Sequence, residues 1–168
     1  MTSVAHDDST LHVDLRTIAS SVLGDIAVTD DVVMTFKTPL WGFGDHRDFA
    51  LLPAAREGLW WLQSMHRDTI TFLLADPFVL DASYALDLSD SERQSLGIEQ
   101  PADALSLVMV TLPATESDGA TGNFRAPLVF NVSRTRGMQI VSRDEGHELR
   151  RPISLDVFPA QDLGLRMV

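Results

Sequence analysis

The sequence contains no cysteine, which excludes disulfides, thiolate metal ligands and cysteine nucleophiles and permits a reducing compartment. No apolar run approaches the roughly 18 residues that a membrane-spanning helix needs. The acidic start, MTSVAHDDST, lacks both the basic region and the apolar region of a signal peptide. We therefore expect a cytoplasmic protein that makes no membrane contact.

Positive charge is scarce, with 13 Lys and Arg against 24 Asp and Glu and a net charge of −11 at pH 7. This argues against direct nucleic-acid binding, because phosphate neutralisation supplies most of that affinity. The charge indicates either solvated loops and faces or electrostatic steering of a basic partner protein. It is unevenly distributed: residues 1–31 carry −5, residues 76–103 carry −6 and residues 125–151 carry +3.

Motifs that would carry chemistry are also missing. None of the five histidines forms an HxH or HxxxH pair, so we predict no metal site. The chain has no GxSxG nucleophile turn and no glycine-rich phosphate loop, so we predict no cofactor. A pair of carboxylates from distant strands leaves no sequence signature, and that possibility stays open.

The pattern that is present is that of β-strands. Some eight short apolar or alternating runs are separated by turn signals, and regular crossover helices are missing. One helix is indicated in LSDSERQSLG, where Ser89 and Glu92 form a capping box and Gly97 marks the end. The fold class we predict is mainly β, an antiparallel β-barrel-like single domain with one or two short helices.

The ends of the chain differ from its centre. We expect an acidic, partly ordered N-terminal extension over residues 1–31, the barrel domain over 32–155 and a C-terminal tail over 156–168. Within the extension, LHVDLRTIASSVL fits an amphipathic helix by the spacing of its apolar residues, and its first residues fit a strand by their alternation.

The adjacent tryptophans Trp60 and Trp61 lie in a strand-like run, so their side chains should point to opposite faces. One of them fills the core. The other is either covered by a second layer or exposed as an interface anchor for a partner protein.

The centre of the chain, from about Val33 to Ile153, resembles the flagellar assembly factor FliW family. The resemblance is carried by six motifs in the family's order: FKTPLWGFGD, FALLP, WLQSM, TFLLADP, LSD followed by LGI, and TGNFRAPLVFN followed by RGMQIV. Gly122 and Phe124 depart from the family's usual Ala and Leu. The stretch before residue 31 is not part of the shared pattern.

The resemblance implies a protein without catalytic activity that works by exchanging partners. Members of the family bind flagellin in the cytoplasm, and when free they bind CsrA, a small RNA-binding repressor of flagellin translation. This chain is therefore expected to be a flagellin-binding chaperone and CsrA antagonist. A net charge of −11 favours attraction to CsrA, which should be basic around its RNA site.

For the contact surface we predict eight residues: Trp60, Gln63, Asp76, Pro77, Phe78, Asn123, Phe124 and Arg125. Each also has a structural interpretation, for example Asn123 as a turn former and Pro77 and Pro127 as strand terminators.

The alternative function is a small-ligand-binding β-barrel or a hydrolase, since barrels hold ligands at their mouths. Its first candidate residues are His66, Asp68 and Asp76. A barrel interior filled by apolar side chains would remove this alternative, and we expect the filling residues to be Phe72, Leu74, Val108, Val110 and Phe130.

Overall fold

The computed structural model describes residues 13–115 and 117–159. These residues form ten strands and two short α-helices. The strands are β1 Arg16–Ile18, β2 Ile26–Val28, β3 Val33–Phe36, β4 Asp48–Pro53, β5 Leu59–Ser64, β6 Thr71–Ala75, β7 Leu105–Thr111, β8 Ala120–Asn131, β9 Arg136–Gln139 and β10 Arg151–Ile153. The helices are α1 Pro77–Leu80 and α2 Asp90–Leu96.

Seven strands close into a barrel. Strands β3 to β8 pair antiparallel in chain order, and β9 closes the ring by pairing antiparallel with β8 and parallel with β3. The parallel seam is short, with Thr35 opposite Arg136 and Phe36 opposite Gly137. The first part of β8 extends past the ring and pairs with β10. The predicted antiparallel barrel-like fold with two short helices is confirmed.

The barrel interior is filled with large apolar side chains. Along each strand alternate residues point inward, as the two-residue period of a strand requires. The interior cluster consists of Met34, Phe36, Leu40, Phe49, Leu51, Leu62, Leu74, Leu107, Leu128 and Phe130, all buried, with Trp60, Phe72, Leu105 and Met109 packed against it. Phe36 meets both Phe49 and Phe130 edge to face, at ring-centroid distances of 5.5 and 5.7 Å.

Two of the residues predicted to fill the interior point the other way. Val108 and Val110 lie in a cluster on the outer face of the barrel, while Phe72, Leu74 and Phe130 belong to the interior. Because β7 is apolar on both faces, its residues from Leu105 to Val110 gave no sign of which face is inside.

Three coverings bury apolar parts of the outer face. The hairpin of β1 and β2 packs through Ile18 and Val28 on Ala50. Helix α2 and the residues after it pack through Leu96 and Ile98 on β8 and β9. The third covering, called here the α1 cluster, comprises Ala54, Leu59, Leu73, Ala75, Tyr84, Val108, Phe124 and Phe158, with Trp61, Leu80, Leu86, Val110, Ile153 and Leu155 packed against them.

Helix α2 begins and ends as its sequence indicates. The Ser89 hydroxyl accepts from the N–H of Glu92, the Glu92 carboxylate accepts from the N–H of Ser89, and Gly97 ends the helix in the left-handed conformation. Burial raises the pKa of Glu92, but hydrogen bonds from Ser89 and from the Arg143 guanidinium outweigh it and lower the pKa overall.

Of the two interpretations of LHVDLRTIASSVL, helix and strand, the described residues agree with the strand. Residues Arg16–Ile18 form a strand, and a turn follows them. Leu11 lies outside the described residues. Neither described α-helix, with four and seven residues, is long enough to cross a membrane.

Candidate functional site

A row of three aromatic rings joins two of the segments in which we predicted partner contacts. Phe78 of α1 meets Tyr84 at 5.5 Å, and Tyr84 meets Phe124 of β8 at 5.6 Å, both edge to face. Phe124 and Tyr84 are buried, whereas Phe78 is 50% exposed. The two segments are therefore joined through two buried rings, and the exposed ring of the row is Phe78.

The Asp76–Pro77 pair sets the position of Phe78. The Asp76 carboxylate caps α1 by accepting from the backbone N–H of Phe78 at 2.9 Å. Pro77 is buried at the first helical position, where a missing N–H costs nothing. Their structural interpretation is thus supported. An Asp followed by a Pro is also a signal for a helix start, and our interpretation of the pair as a strand end did not use it.

Between Asn123 and Leu128, strand β8 bulges away from β7. Asn123 pairs with Met109 and Leu128 pairs with Leu107, so the register between them shifts. The Asn123 side chain accepts from the N–H of Ala126 at 2.9 Å and holds the bulge. The backbone N–H groups of Phe124 and Arg125 donate to the carbonyl of Glu148, so the bulge fixes the loop before β10.

The structure corrects part of the predicted contact set. Phe124 is fully buried in the α1 cluster, and Gln63 is fully buried where it donates to the carbonyls of Ser64 and Arg67. Trp60 is half-buried against the interior cluster, and Pro77 is buried. A partner on the outer surface cannot reach the fully buried side chains, since each already fills a site within the chain.

The two tryptophans point to opposite faces, as predicted, and both are packed. Trp60 lies against the interior cluster and Trp61 against the α1 cluster. Both are half-buried, so the covered alternative describes this pair, and neither is an open anchor.

Sequence reasoning missed the most exposed tryptophan. Trp41 is 57% exposed in the loop after β3, where its backbone N–H donates to the Gln139 side chain. The available signal was its position in TPLWGFGD: a large aromatic residue among turn formers has little strand or helix to pack against.

An ion pair supports the buried side of the aromatic row. The Arg151 guanidinium donates to the Asp81 carboxylate at 2.8 Å and lies over the Phe124 ring, 4.7 Å from its centroid. Hydrogen bonds from Ser83 and from Arg151 lower the pKa of Asp81 from 3.8 to about 2. Arg151 thereby fixes both β10 and the segment after α1.

A cleft of 470 Å³ opens beside Phe78, between the segment after α1 and the residues that follow α2. We call it the Phe78 groove. It is lined by Phe78, Leu86, Asp87, Leu88, Arg93, Ile98, Glu99, Gln100, Pro101, Ala104 and Ser106. The lining combines apolar side chains with two carboxylates, a composition suited to an amphipathic partner segment.

Part of the uneven charge of the sequence is paired between two segments of the fold. Arginines of the basic segment 125–151 face carboxylates of the acidic segment 76–103. Arg143 pairs with Glu92 at 3.2 Å and Arg151 pairs with Asp81 at 2.8 Å, whereas Arg134 stays 3.9 Å from Glu99 and both of these side chains are exposed. Neither of the two explanations we considered includes this internal complementarity.

The candidate hydrolase residues do not converge. His66 and Asp68 lie in the loop between β5 and β6, where they contact Asp48 and Ser21, whereas Asp76 follows the far end of β6. Ser142 lies 2.6 Å from Nδ1 of His147, with Asp144 nearby, but Ser142 is buried and accepts the N–H of Asp144. Among the described residues, no group of three or more His, Asp or Glu is arranged to hold a metal ion.

The fold and its surface define a small, apolar-filled β-barrel with three outer coverings and clefts on its outside. The family model described as "FliW protein" matches residues 17–153, and the chain belongs to this family. The match includes the β1–β2 hairpin, so our expectation that the stretch before residue 31 lies outside the shared pattern was wrong from residue 17 onward.

Individual relatives agree with this assignment. The chain is 29% identical over 140 residues to the flagellar assembly factor FliW of Natranaerobius thermophilus, covering 83% of this chain and 93% of that protein. It is 30% identical over 138 residues to FliW of Leptospira biflexa, covering 82% and 90%. A crystal structure of the flagellar assembly factor FliW superposes with a TM-score of 0.73 at 27% identity, covering 86% of this chain and 98% of that one.

Proposed function

We propose that this protein is a flagellar assembly factor without catalytic activity that binds flagellin in the cytoplasm and, when free, binds and antagonises the translational repressor CsrA. Family membership carries the proposal. The protein would couple flagellin synthesis to export, because flagellin that leaves the cell frees the protein to take CsrA from its messenger.

The filled barrel supports a role in binding proteins rather than small molecules. Ten buried apolar residues occupy the interior, and the Phe78 groove lies on the outside. A small-ligand barrel needs an apolar cavity with convergent polar groups. No observation on the described residues favours that alternative.

The proposed contact surface combines the Phe78 groove with Asp76, Asn123 and Arg125 of the predicted contact set. Phe78 is half-exposed yet anchored through Tyr84, so it presents apolar area at little cost in side-chain entropy. The neighbouring Val79 is 44% exposed and extends the apolar area along α1. Asp87 and Glu99 on the groove complement a basic partner, since the one cation of its lining, Arg93, is paired with Asp90.

An exchange experiment tests the partner-switching mechanism. A preformed complex of this chain with CsrA is challenged with increasing flagellin, and free CsrA is measured by its binding to a fluorescent messenger RNA fragment. We expect flagellin to release CsrA in proportion to its concentration. Stable ternary complexes, or CsrA that remains bound at flagellin excess, would contradict the mechanism.

A pair of variants tests the surface. Phe78→Ser should weaken binding of at least one partner by about tenfold or more, because truncating an interface aromatic costs roughly 2 kcal/mol. The matched control is Val22→Ser, which removes an exposed apolar side chain in the turn of the N-terminal hairpin, outside the groove. Equal affinities of both variants for both partners would exclude the Phe78 groove as the contact surface.

A further inference from the structure

A second cleft lies on the other side of α2 and is basic. It has a volume of 540 Å³ and runs between α2 and the parallel seam of β3 and β9. We call it the seam cleft. Its lining includes three cationic side chains, Lys37, Arg134 and Arg136, and no residue of the Phe78 groove.

The three cations stand out in a chain of net charge −11. No carboxylate is among the described residues that line the seam cleft. Arg134 comes no nearer than 3.9 Å to Glu99, and Arg136 donates to the backbone carbonyl of Ser95 at 3.2 Å. Arg143 and Arg151, in contrast, meet carboxylates at 3.2 and 2.8 Å. The cleft therefore concentrates positive charge that the described neighbours leave largely uncompensated.

We propose that the seam cleft binds an acidic segment of a protein, with carboxylate side chains placed against Lys37, Arg134 and Arg136. The rest of the lining suits a peptide, since Ser91, Gln94 and Ser95 of α2 supply hydrogen-bonding groups. Leu96 and Met138 supply apolar contact for the peptide's carbon atoms.

A nucleic-acid strand fits this site poorly. No aromatic side chain is found in the described lining, so unstacked bases have no ring to stack on. The net charge of −11 also repels a phosphate backbone that extends beyond the cleft, whereas a short acidic peptide segment confines its charge to the cleft. This inference is independent of which proteins bind at the Phe78 groove, because the two sites share α2 but no lining residue.

The chain offers a specific probe of the seam cleft, because Lys37 is its only lysine. Reductive methylation with ¹³C-formaldehyde labels this side chain without removing its charge, and the only other amine is that of the N-terminus. The methyl resonance of Lys37 then reports binding by NMR. The titrants are a glutamate-rich peptide, the same peptide with glutamine at every glutamate, sodium phosphate and a single-stranded RNA.

We expect the glutamate peptide to shift the Lys37 signal saturably and the glutamine peptide to leave it unchanged. Added salt should weaken the binding, because the ion pairs are exposed. Arg134→Gln should lower the affinity about threefold to fivefold, the value of one exposed ion pair. The matched control Arg150→Gln changes an exposed arginine outside the cleft and should leave the affinity unchanged.

Four results of the titrations would overturn the proposal. They are the absence of a saturable shift, equal shifts from both peptides, saturation by phosphate at the same concentration as by the glutamate peptide, and tighter binding of RNA. Equal losses of affinity in Arg134→Gln and Arg150→Gln would also overturn it, because the attraction would then arise from overall charge. Thermal unfolding of each variant confirms that the comparison is made on folded protein.

Discussion

The Phe36 ring lies so close to Gly137 that a β-carbon added at position 137 would stand 2.8 Å from Cζ of Phe36 and 3.1 Å from the Phe130 ring. The two residues are paired in the parallel seam that closes the barrel. The glycine is therefore needed for packing, because both rings fill the interior and neither has space to withdraw.

Gly137→Ala should lower the free energy of unfolding by about 1–3 kcal/mol, the usual cost of overpacking a filled core. Chemical denaturation followed by tryptophan fluorescence measures the change. The matched control is Gly119→Ala, since a β-carbon at position 119 meets no described heavy atom within 4 Å. If Gly137→Ala is as stable as the parent, the strands of the seam can move apart to admit the methyl group, and the glycine is not needed for packing.

Asn131 connects the barrel to helix α2. It is buried at the end of β8, and its side-chain amide donates to the carbonyls of Leu96 and Gly97, both at 3.0 Å. Asn131→Ala should cost roughly 1–3 kcal/mol because it leaves these acceptors without their donor. Asn131→Asp should cost more, since a buried carboxylate would face two carbonyl oxygens. Circular dichroism and denaturation compare the two variants, and an Asp variant as stable as the Ala variant would contradict this role.

Tyr84 has a buried hydroxyl with no hydrogen-bond partner among the described residues. Tyr84→Phe keeps the ring contacts with Phe78, Phe124 and His147 while removing the unsatisfied group. We expect the free energy of unfolding of the variant to equal that of the parent or to exceed it by up to about 1 kcal/mol. A loss of stability in thermal unfolding would mean that the hydroxyl has a partner after all.

The same burial raises the pKa of Tyr84 from 10.0 to about 12. Tyr84 is the only tyrosine, so the ultraviolet absorbance of tyrosinate reports this group alone. Because the unfolded chain ionises first, stability should fall as the pH rises from 10.0 towards 12. A titration midpoint near 10.0 in the folded protein would contradict the burial of the hydroxyl.

The ion pair of Asp81 and Arg151 should make the stability of the fold depend on pH in the acidic range. The folded-state pKa of Asp81 is lowered from 3.8 to about 2, so its contribution is present above pH 3.8 and is lost as the pH falls towards 2. Asp81→Asn should therefore lower the melting temperature at neutral pH, and the difference from the parent should vanish near pH 2. Arg151→Met and the double variant complete the cycle. Additive effects at neutral pH would show that the two residues are not coupled.

The sequence predicted the fold where its signals were local. The Ser89 capping box and the alternation of side chains in DDVVMTFK each depend on a few neighbouring residues, and the corresponding helix and strand are present. The family could be recognised from the order of the six motifs, because these motifs are spread over most of the barrel.

The parts that sequence reasoning missed depend on tertiary structure. The two faces of β7 are equally apolar, so only ring closure decides that Leu107 points inward and Val108 outward. Phe124 and Gln63 look like surface candidates in the sequence. Phe124 is buried because Tyr84 and Arg151 pack on its ring, and Gln63 is buried where it donates to the β5–β6 loop. The seam cleft joins residues about 100 positions apart, such as Lys37 and Arg136, which no local pattern connects.

Size-exclusion chromatography of the unmodified protein, mixed in turn with purified flagellin and CsrA of the same organism at micromolar concentration, tests the central claim most directly. We predict that the chain co-elutes with each partner as a stoichiometric complex. Separate elution from both partners, with the chain folded, would contradict the account.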